Sequence, residues 1–284
     1  MRRIVSATEM QAWADEARRK GERIGLVPTM GSLHEGHLSL IARSRGVCDV
    51  TITSIYVNPT QFAPNEDFAR YPRDLEKDAR LCEGAGTTVL FAPSDSEMYP
   101  EGYSTFVNVE GVSSVLEGKF RPTHFRGVAT VVAKLLLLTR PHLAFFGQKD
   151  AQQCVVVKKM VKELQMGVEI VVAPIVREPD GLALSSRNVY LSPRERAEAI
   201  VLHQSLLHAT EMVRSGERNA AEIVKAMKEM IQQKQSASID YVEIVHTETL
   251  VPLERLQPGL PSLALLAVRF GRTRLIDNAF LTVS

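Results

Sequence analysis

Apolar runs with strand character alternate with helix-period segments through the first 175 residues, and this alternation constrains the fold more than any other feature. The helix-period segments carry apolar residues three and four positions apart, whereas the strand-like runs are short and continuously apolar. Such an alternation predicts strand–helix–strand units, which form a mostly parallel sheet covered by helices. We therefore expect an α/β domain whose ligands bind beyond the carboxyl ends of the strands. The predicted strands are residues 24–27, 50–57, 88–91, 105–109, 142–146 and 168–172.

The pattern changes after about residue 176. Two helix-period segments are followed there by three strand-like runs: residues 193–215, 220–235, 240–246, 262–270 and 273–283. Helices followed by consecutive strands are typical of an antiparallel α+β unit, and Gly271-Arg272 has the composition of a hairpin turn. We therefore predict two domains, residues 1–176 and the smaller 177–284.

The composition argues against several classes of protein. With 284 residues, 45% hydrophobic and 24% charged, the chain is typical of a soluble globular protein. A net charge of +1 gives no electrostatic reason to expect nucleic acid or an anionic membrane as a partner. No apolar run approaches the roughly 18 residues that cross a bilayer, and the basic N-terminus lacks a signal peptide's apolar segment. Three cysteines without C-x-x-C spacing indicate reduced thiols, so we expect a cytoplasmic protein.

The most informative motif is residues 28–37, Pro-Thr-Met-Gly-Ser-Leu-His-Glu-Gly-His, which lies between a predicted strand and a predicted helix. The spacing of His34 and His37 places them on one helical face, at a helix N-terminus that favours phosphate. Gly36 removes a side chain between them, so a large ligand can approach the backbone. The motif therefore predicts a nucleotide-phosphate site. A capping role and a metal site are alternatives, but the H-E-x-x-H spacing is absent and no cysteine is adjacent.

Three further polar clusters follow predicted strands or lie at the domain boundary. Asn58 and Gln61 offer uncharged donors and acceptors, which suit a hydroxylated carboxylate. Lys149, at a helix start just after Gly147, supplies a compact charge suited to phosphate. Residues 180–188, Asp-Gly-Leu-Ala-Leu-Ser-Ser-Arg-Asn, combine hydroxyl groups with a guanidinium that can hold a triphosphate, so we expect a mobile anion-binding loop there.

The segment before the long predicted helix 124–139 is basic, with the sequence Arg-Pro-Thr-His-Phe-Arg at residues 121–126. Cations near a helix N-terminus oppose the helix dipole. Their placement there therefore gives a weak indication of a bound anion.

In their order and spacing these segments resemble the pantoate–β-alanine ligases, the pantothenate synthetase family. The resemblance implies a Rossmann-like nucleotidyl-transferase domain with a C-terminal lid domain. It also implies an ATP-dependent ligase of pantothenate biosynthesis, which joins (R)-pantoate to β-alanine through an enzyme-bound pantoyl adenylate and releases pyrophosphate and AMP. A cytoplasmic homodimer that uses Mg²⁺ with ATP is expected, and no protein side chain is predicted to coordinate the ion. The matching stretches are residues 28–37, 56–62, 71–73, 121–134, 145–153 and 180–191.

The resemblance also implies roles for residues at the matching positions. His37, His34 and Lys149 are expected to be catalytic, with His37 in the position usually described as the proton donor. Gln61, Gln153 and Asn58 are expected to bind pantoate, and Gln61 also β-alanine. The residues expected to bind ATP are Met30, Gly31, Ser32, Leu33, His34, Glu35, Gly36, His37, Gly147, Gln148, Lys149, Asp150, Val176, Leu184, Ser185, Ser186 and Arg187.

Two other functions remain open on the sequence. A nucleotidyl transferase that moves AMP onto a phosphorylated acceptor shares the H-x-G-H tetrad, although the pair of Gln61 and Gln153 and the C-terminal domain argue against it. A non-catalytic nucleotide sensor would have lost a phosphate contact, yet His34, His37 and Lys149 are all present. The ligase is therefore the function that we expect.

Overall fold

The computed structural model describes residues 1–64, 66 and 68–283. Within this described part, no helix combines the length and the apolar character that a membrane crossing requires.

Two units divide the chain, and the boundary differs slightly from the predicted one. The first unit comprises Met1–Gly147 and Gln152–Pro174, and the second comprises Gln148–Ala151 and Ile175–Ser284. The second unit therefore includes the four-residue turn that follows Gly147, which the sequence pattern placed in the first domain.

The first unit is built on a parallel sheet. All of its strand pairs are parallel, which confirms the α/β prediction for this part of the chain. The strands are short and mostly buried, as expected when helices cover a parallel sheet. They are β1 (Arg2–Ile4), β2 (Ile24–Thr29), β3 (Val50–Ile55), β4 (Val89–Phe91), β5 (Leu143–Gly147) and β6 (Glu169–Ala173). Their order across the sheet is β1-β4-β3-β2-β5-β6.

Helices lie between these strands in the chain, as the predicted strand–helix–strand alternation requires, whereas the two four-residue helices Asp95–Met98 and Glu117–Phe120 were not predicted. They are α1 (Ala7–Arg19), α2 (Glu35–Val47), α3 (Leu75–Ala85), α4 (Asp95–Met98), α5 (Glu117–Phe120), α6 (His124–Thr139) and α7 (Ala151–Glu163). Apolar side chains of α2 and α3 form one buried cluster with β2, β4 and β5. Asp74 caps the start of α3, and Gly86, at φ +91°, ends it.

The strand predicted at residues 105–109 is wrong. The N–H of Val107 donates to the Oγ1 of Thr130 in α6, at 2.9 Å. The guanidinium of Arg126, also in α6, lies over the Phe106 ring at 3.9 Å. This apolar segment therefore packs against a helix and forms no strand, because its neighbour offers side chains and no sheet edge.

The second unit is an α+β unit with an antiparallel sheet. Its strands lie in the sheet in chain order, and Gly271, at φ +57°, lies in the hairpin turn between the last two of them. One buried cluster joins its helices to the sheet. The predicted helix 193–215 is two helices that meet at Ile200. The elements are α8 (Pro193–Ala199), α9 (Val201–Arg214), α10 (Ala220–Gln232), β7 (Ala237–His246), β8 (Ser262–Phe270) and β9 (Thr273–Leu281).

Candidate active site

The strand order of the parallel sheet reverses between β2 and β5. After β2 the chain adds β3 and β4 on one side, whereas β5 and β6 extend the sheet on the other. Leu26 of β2 pairs with Ala144 of β5, so Thr29 and Gly147, each three residues further on, end their strands at about the same level. Ligands of doubly wound sheets bind in the crevice at such a point. The turn after β2 and the end of β5 at Gly147 therefore border the candidate site of the first unit.

A buried carboxylate holds the turn after β2 in an unusual shape. Gly31 and Ser32 both have positive φ values, +82° and +52°, a region that non-glycine residues rarely adopt. Asp78 of α3 is 2% exposed and accepts hydrogen bonds from the N–H groups of Ser32, at 2.8 Å, and Leu33, at 2.9 Å. Asp78 therefore fixes the backbone that leads into His34.

The two histidines cap the start of α2 reciprocally. Nδ1 of His34 accepts from the N–H of Gly36, at 3.2 Å, and Nδ1 of His37 accepts from the N–H of His34, at 3.4 Å. The ring centroids lie 4.2 Å apart. Because Nδ1 is the acceptor in both rings, a neutral imidazole carries its proton on Nε2. The same rings can therefore cap the helix and present Nε2–H donors to an anion.

Gly36 has a role here that the sequence interpretation did not include. A Cβ at this position would lie 2.8 Å from Cε1 of His34, so the glycine makes room for the capping ring. The N–H groups of Gly36 and His37 both bond to His34, through its Nδ1 and its carbonyl oxygen. The sequence predicts a helix N-terminus that favours phosphate, but these two N–H groups have partners within the protein. The imidazoles are the better candidate donors.

A 3-10 turn, Pro59–Gln61, follows β3 and brings the predicted amide cluster to the same site. Gln61 is buried, its Oε1 accepts from Nδ2 of Asn58 at 3.2 Å, and its Nε2 lies 2.9 Å from Sδ of Met30. Helix α6 packs directly on this turn. A Cβ at Gly127 would lie 2.5 Å from a backbone oxygen of the turn, so only glycine allows the approach.

The basic segment before α6 supports this turn. Nε and Nη2 of Arg121 donate to the two carboxylate oxygens of Glu66, at 2.6 and 2.7 Å. Nη2 also donates to the carbonyl oxygen of Gln61 at 3.3 Å. Burial, together with the nearby charge of Arg121, lowers the pKa of His124 to about 4, so the ring is neutral near pH 7. Its Nδ1 lies 3.0 Å from the same Gln61 oxygen, an acceptor, and therefore carries the proton. The anion that Arg121 binds is the protein's own Glu66.

Two adjacent glutamines open α7, and the structure separates their roles. Oε1 of Gln152 accepts from the N–H of Glu117 at 3.0 Å, and its Nε2 donates to the carbonyl oxygens of Val112 and Val115 at 2.8 Å each. The Gln152 amide is therefore bonded within the first unit. Gln153 is half-buried at the next position, and its contact with pantoate stays a prediction.

In the second unit, β9 holds the turn that carries Lys149. Asn278 is buried, and its Nδ2 donates to the carbonyl oxygens of Gln148, at 2.9 Å, and Lys149, at 3.0 Å. Its Oδ1 accepts from Nε2 of Gln148 at 3.2 Å. Asp150 closes this 3-10 turn directly before α7. The last strand of the chain therefore sets the backbone from which the Lys149 ammonium extends.

The first half of the predicted anion-binding loop is a hydrogen-bonded hairpin. Residues 176–184 pair through the N–H of Leu184 and the carbonyl oxygen of Val176, at 3.0 Å, around Gly181 at φ +98°. Arg177 anchors the hairpin to β9 through two bonds to the Asp277 carboxylate, at 2.7 and 2.9 Å. The predicted mobility therefore concerns at most the residues beyond the hairpin, and it stays a prediction.

The predicted site residues thus fall into two groups, one in each unit. The first unit holds Met30, Gly31, Ser32, Leu33, His34, Glu35, Gly36, His37, Asn58, Gln61, Gly147 and Gln153. The second unit holds Gln148, Lys149, Asp150, Val176, Leu184, Ser185, Ser186 and Arg187.

Sequence reasoning missed Asp78, Tyr99 and Asn278. Asp78 had a usable signal, because it falls on the buried face of α3 beside Ala79, where a charged side chain needs a partner. Tyr99 and Asn278 had no local signal, since their partners lie 41 and about 130 positions away in the chain.

A parallel sheet with polar side chains at its switch point is typical of α/β proteins that bind nucleotides. The family model described as pantoate-beta-alanine ligase matches residues 2–280. The chain therefore belongs to the pantoate–β-alanine ligase family.

Similar proteins agree over the whole length. Pantothenate synthetase from Acetivibrio thermocellus is 56% identical over 283 residues, and that from Heliobacterium modesticaldum 54% identical over 283 residues, each match covering 100% of both chains. The crystal structure of pantothenate synthetase from Thermus thermophilus has a TM-score of 0.93 at 47% identity and covers 99% of this chain and 100% of that one. The pantoate-beta-alanine ligase from Francisella tularensis, complexed with beta-gamma ATP and beta-alanine, has a TM-score of 0.80 at 34% identity, covering 99% and 97%.

Proposed function

We propose that this chain catalyses the ATP-dependent condensation of (R)-pantoate with β-alanine in two steps. The pantoate carboxylate attacks the α-phosphorus of ATP to give pantoyl adenylate and pyrophosphate. The amine of β-alanine then attacks the acyl carbon, which forms the amide bond of pantothenate and releases AMP. The observation that carries this proposal is that one unit holds the adjacent rings of His34 and His37 and, against Met30 of the same turn, the amide of Gln61, in a member of the pantoate–β-alanine ligase family.

The catalytic groups act by stabilising charge. Attack at the α-phosphorus concentrates negative charge on phosphate oxygens, which the Nε2–H donors of His34 and His37 and the Lys149 ammonium would stabilise without a covalent bond to the protein. The capping bonds support this role, because they hold each Nδ1 as an acceptor. We therefore interpret His37 as a hydrogen-bond donor to the phosphate or to the departing pyrophosphate.

ATP would contact both groups of site residues. Gly147 ends β5 beside open space, since no described atom of the protein lies within 4 Å of a Cβ built there, which suits a ligand at van der Waals distance. The residues after the hairpin, Ser185, Ser186 and Arg187, would bind the triphosphate. Water hydrolyses an acyl adenylate, so the site would have to exclude water while the adenylate is bound.

Pantoate would bind at Gln61 and Gln153, which can pair with its hydroxyl and carboxylate oxygens. Gln61 would also lie close to β-alanine. The Francisella tularensis relative supports the substrate assignment, because that protein is a complex with beta-gamma ATP and beta-alanine.

Mg²⁺ would accompany ATP. Among the described residues, no group of three or more His, Cys, Asp or Glu side chains could hold a metal ion. Glu35 and Asp150 are the anionic side chains among the residues proposed to bind ATP. The groups proposed at the triphosphate itself, Lys149, Ser185, Ser186 and Arg187, are neutral or cationic, so the phosphate oxygens would be the main ligands of the ion. When bound it neutralises phosphate charge.

A cytoplasmic homodimer is the proposed working form. Membership of the family supports the dimer, and a protein in which none of the three cysteines forms a disulfide within the described residues suits a reducing compartment. Analytical ultracentrifugation at micromolar concentration is expected to give a mass near twice 31.5 kDa. A single species of 31.5 kDa would contradict the dimer.

An omission assay tests the reaction. With ATP, Mg²⁺, pantoate and β-alanine present we expect pantothenate and AMP, and omission of any one of them should abolish both products. Without β-alanine, pantoate should still drive exchange of labelled pyrophosphate into ATP, because the adenylate forms first. Exchange that requires phosphopantetheine in place of pantoate would support AMP transfer to a phosphorylated acceptor, and ATP binding without turnover would support a nucleotide sensor.

A further inference from the structure

We propose that Tyr99 and Asn58 are positioning residues that fix the side-chain amide of Gln61, so that Gln61 presents a hydrogen-bond donor to the substrate. This inference rests on the proposed binding of pantoate at Gln61. It changes the predicted role of Asn58 from a pantoate contact to an orienting residue.

Backbone groups determine which way the Asn58 amide points. Asn58 is 1% exposed. Its Nδ2 donates to the carbonyl oxygen of Gly127 at 3.1 Å, and its Oδ1 accepts from the N–H of Thr60 at 3.3 Å. A reversed amide would place NH2 against an N–H and oxygen against a carbonyl. Because a backbone donor and a backbone acceptor cannot exchange roles, the orientation of Asn58 is fixed.

Tyr99 strengthens this orientation from the opposite side. Its hydroxyl donates to Oδ1 of Asn58 at 2.9 Å, and the Oγ1 of Thr60 donates to the same oxygen at 2.9 Å. Burial raises the pKa of Tyr99, so the phenol stays protonated and remains a donor near neutral pH. With the Thr60 N–H, three donors converge on Oδ1, and the two hydrogens of Nδ2 are left for Gly127 and Gln61.

The fixed Asn58 amide orients Gln61 in turn. Nδ2 of Asn58 donates to Oε1 of Gln61 at 3.2 Å, so the carbonyl side of that amide is occupied. The NH2 side then faces the other way, where Nε2 lies 2.9 Å from Sδ of Met30, a weak acceptor. The side-chain oxygen and NH2 group of Asn58 are hydrogen-bonded within the protein. The NH2 group of Gln61 can still donate a hydrogen bond to a substrate.

The orientation bears on substrate choice. A carboxylate is an acceptor only, so it pairs with an amide NH2 and is repelled by an amide oxygen. Gln61 held with its NH2 toward the ligand therefore favours a carboxylate or hydroxyl oxygen at that point. A freely rotating glutamine would offer either face and discriminate less.

Two substitutions test the arrangement through pantoate-dependent pyrophosphate exchange. Tyr99→Phe removes one hydroxyl donor, and the loss of one neutral hydrogen bond is expected to raise the KM for pantoate about 3- to 10-fold, with the KM for ATP unchanged and kcat within about twofold. Asn58→Asp replaces the NH2 group that faces Gln61 with oxygen and favours a reversed Gln61 amide. We expect it to raise the KM for pantoate about 100-fold or more. Tyr103→Phe is the matched control, because that ring packs edge-to-face on Tyr99 at 5.0 Å.

A second readout separates orientation from general damage. The primary amide of pantoate serves as an unreactive competitor, and the ratio of its inhibition constant to the KM for pantoate measures the preference for a carboxylate. We expect this ratio to fall in Tyr99→Phe and Asn58→Asp, whereas a loosened pocket would weaken both ligands equally. If the wild-type protein shows normal exchange while Tyr99→Phe changes neither this ratio nor the KM for pantoate, the inference about Tyr99 and Asn58 is overturned and the proposed function is not. Absence of exchange in the wild type would instead remove the proposed function.

Discussion

At the scale of single residues, one ring nitrogen of His37 caps α2 and the other is the proposed hydrogen-bond donor to phosphate. Its Nδ1 accepts from the His34 N–H, so a neutral ring carries its proton on Nε2, the proposed hydrogen-bond donor to phosphate. We expect His37→Ala to raise the adenylation barrier by about 2–4 kcal/mol, the range for losing one preorganised donor, as measured by pantoate-dependent pyrophosphate exchange. His208→Ala, at an exposed position of α9, is the control. Exchange near the wild-type rate in His37→Ala would exclude the role.

Gly147 allows a test of ligand approach that does not disturb the protein. A Cβ there meets no described protein atom within 4 Å, so Gly147→Ala should change the free energy of unfolding by less than about 1 kcal/mol. We expect the KM for ATP to rise about tenfold or more, because the methyl group would occupy space next to the nucleotide. Gly46→Ala in α2, where a Cβ also meets nothing, is the matched control. An unchanged KM for ATP in Gly147→Ala would place the nucleotide elsewhere.

At the scale of elements, α3 acts on the site through a single side chain. Asp78 bonds two consecutive N–H groups of the turn between β2 and α2. The positive φ of Ser32 costs free energy, which these bonds offset. The turn is therefore shaped by a helix that begins about 40 residues later in the chain.

Substitution of this carboxylate gives the prediction at this scale. Asp78→Asn places an NH2 group against a backbone N–H, so we expect the free energy of unfolding to fall by about 2 kcal/mol and the KM for ATP to rise. Asp74→Asn on the same helix is the control, because asparagine caps a helix as well as aspartate does. Equal denaturation midpoints for the two variants would show that the buried bonds contribute nothing.

At the scale of the whole molecule, the buried His124 couples stability to pH. Its pKa is about 4 in the folded protein, against 6.5 for an ordinary histidine, so above pH 6.5 the ring is neutral in both the folded and the unfolded state. Between pH 6.5 and about 4 the unfolded chain binds one more proton at this residue. The free energy of unfolding should therefore fall by about 1.4 kcal/mol per pH unit in that window.

Urea unfolding at several pH values measures this effect. The fluorescence of Trp13, the single tryptophan, reports the unfolding, because Trp13 lies in the same unit as His124. Burial also lowers the pKa of His142 and His203, so the difference between the wild type and His124→Gln isolates the contribution. We expect the variant to lose less stability on acidification. Equal slopes in the two proteins would contradict a neutral, buried His124.

Much of the site was predictable because its parts are contiguous. Strand, turn and helix around residues 28–37 follow from local pattern, and His34 and His37 are three positions apart, so their proximity needs no tertiary information. The predicted strand at residues 105–109 failed because an apolar run does not specify whether a strand or a helix covers it. The role of Gln152 was equally hidden, since its partners are backbone atoms of residues 112–117.

The sequence by itself determined the kind of architecture, the H-x-G-H turn and the family, because periodicity, turn residues and contiguous motifs are local properties of the chain. The tertiary structure alone decided the strand order that makes β2 and β5 neighbours, and with it the position of the crevice. It also decided the partners that orient the site, Asp78 for the turn, Tyr99 and Asn58 for Gln61, and Asn278 for the Lys149 turn. The physical reason is that a buried polar side chain must find a partner, and only the folded backbone determines which distant group comes within reach.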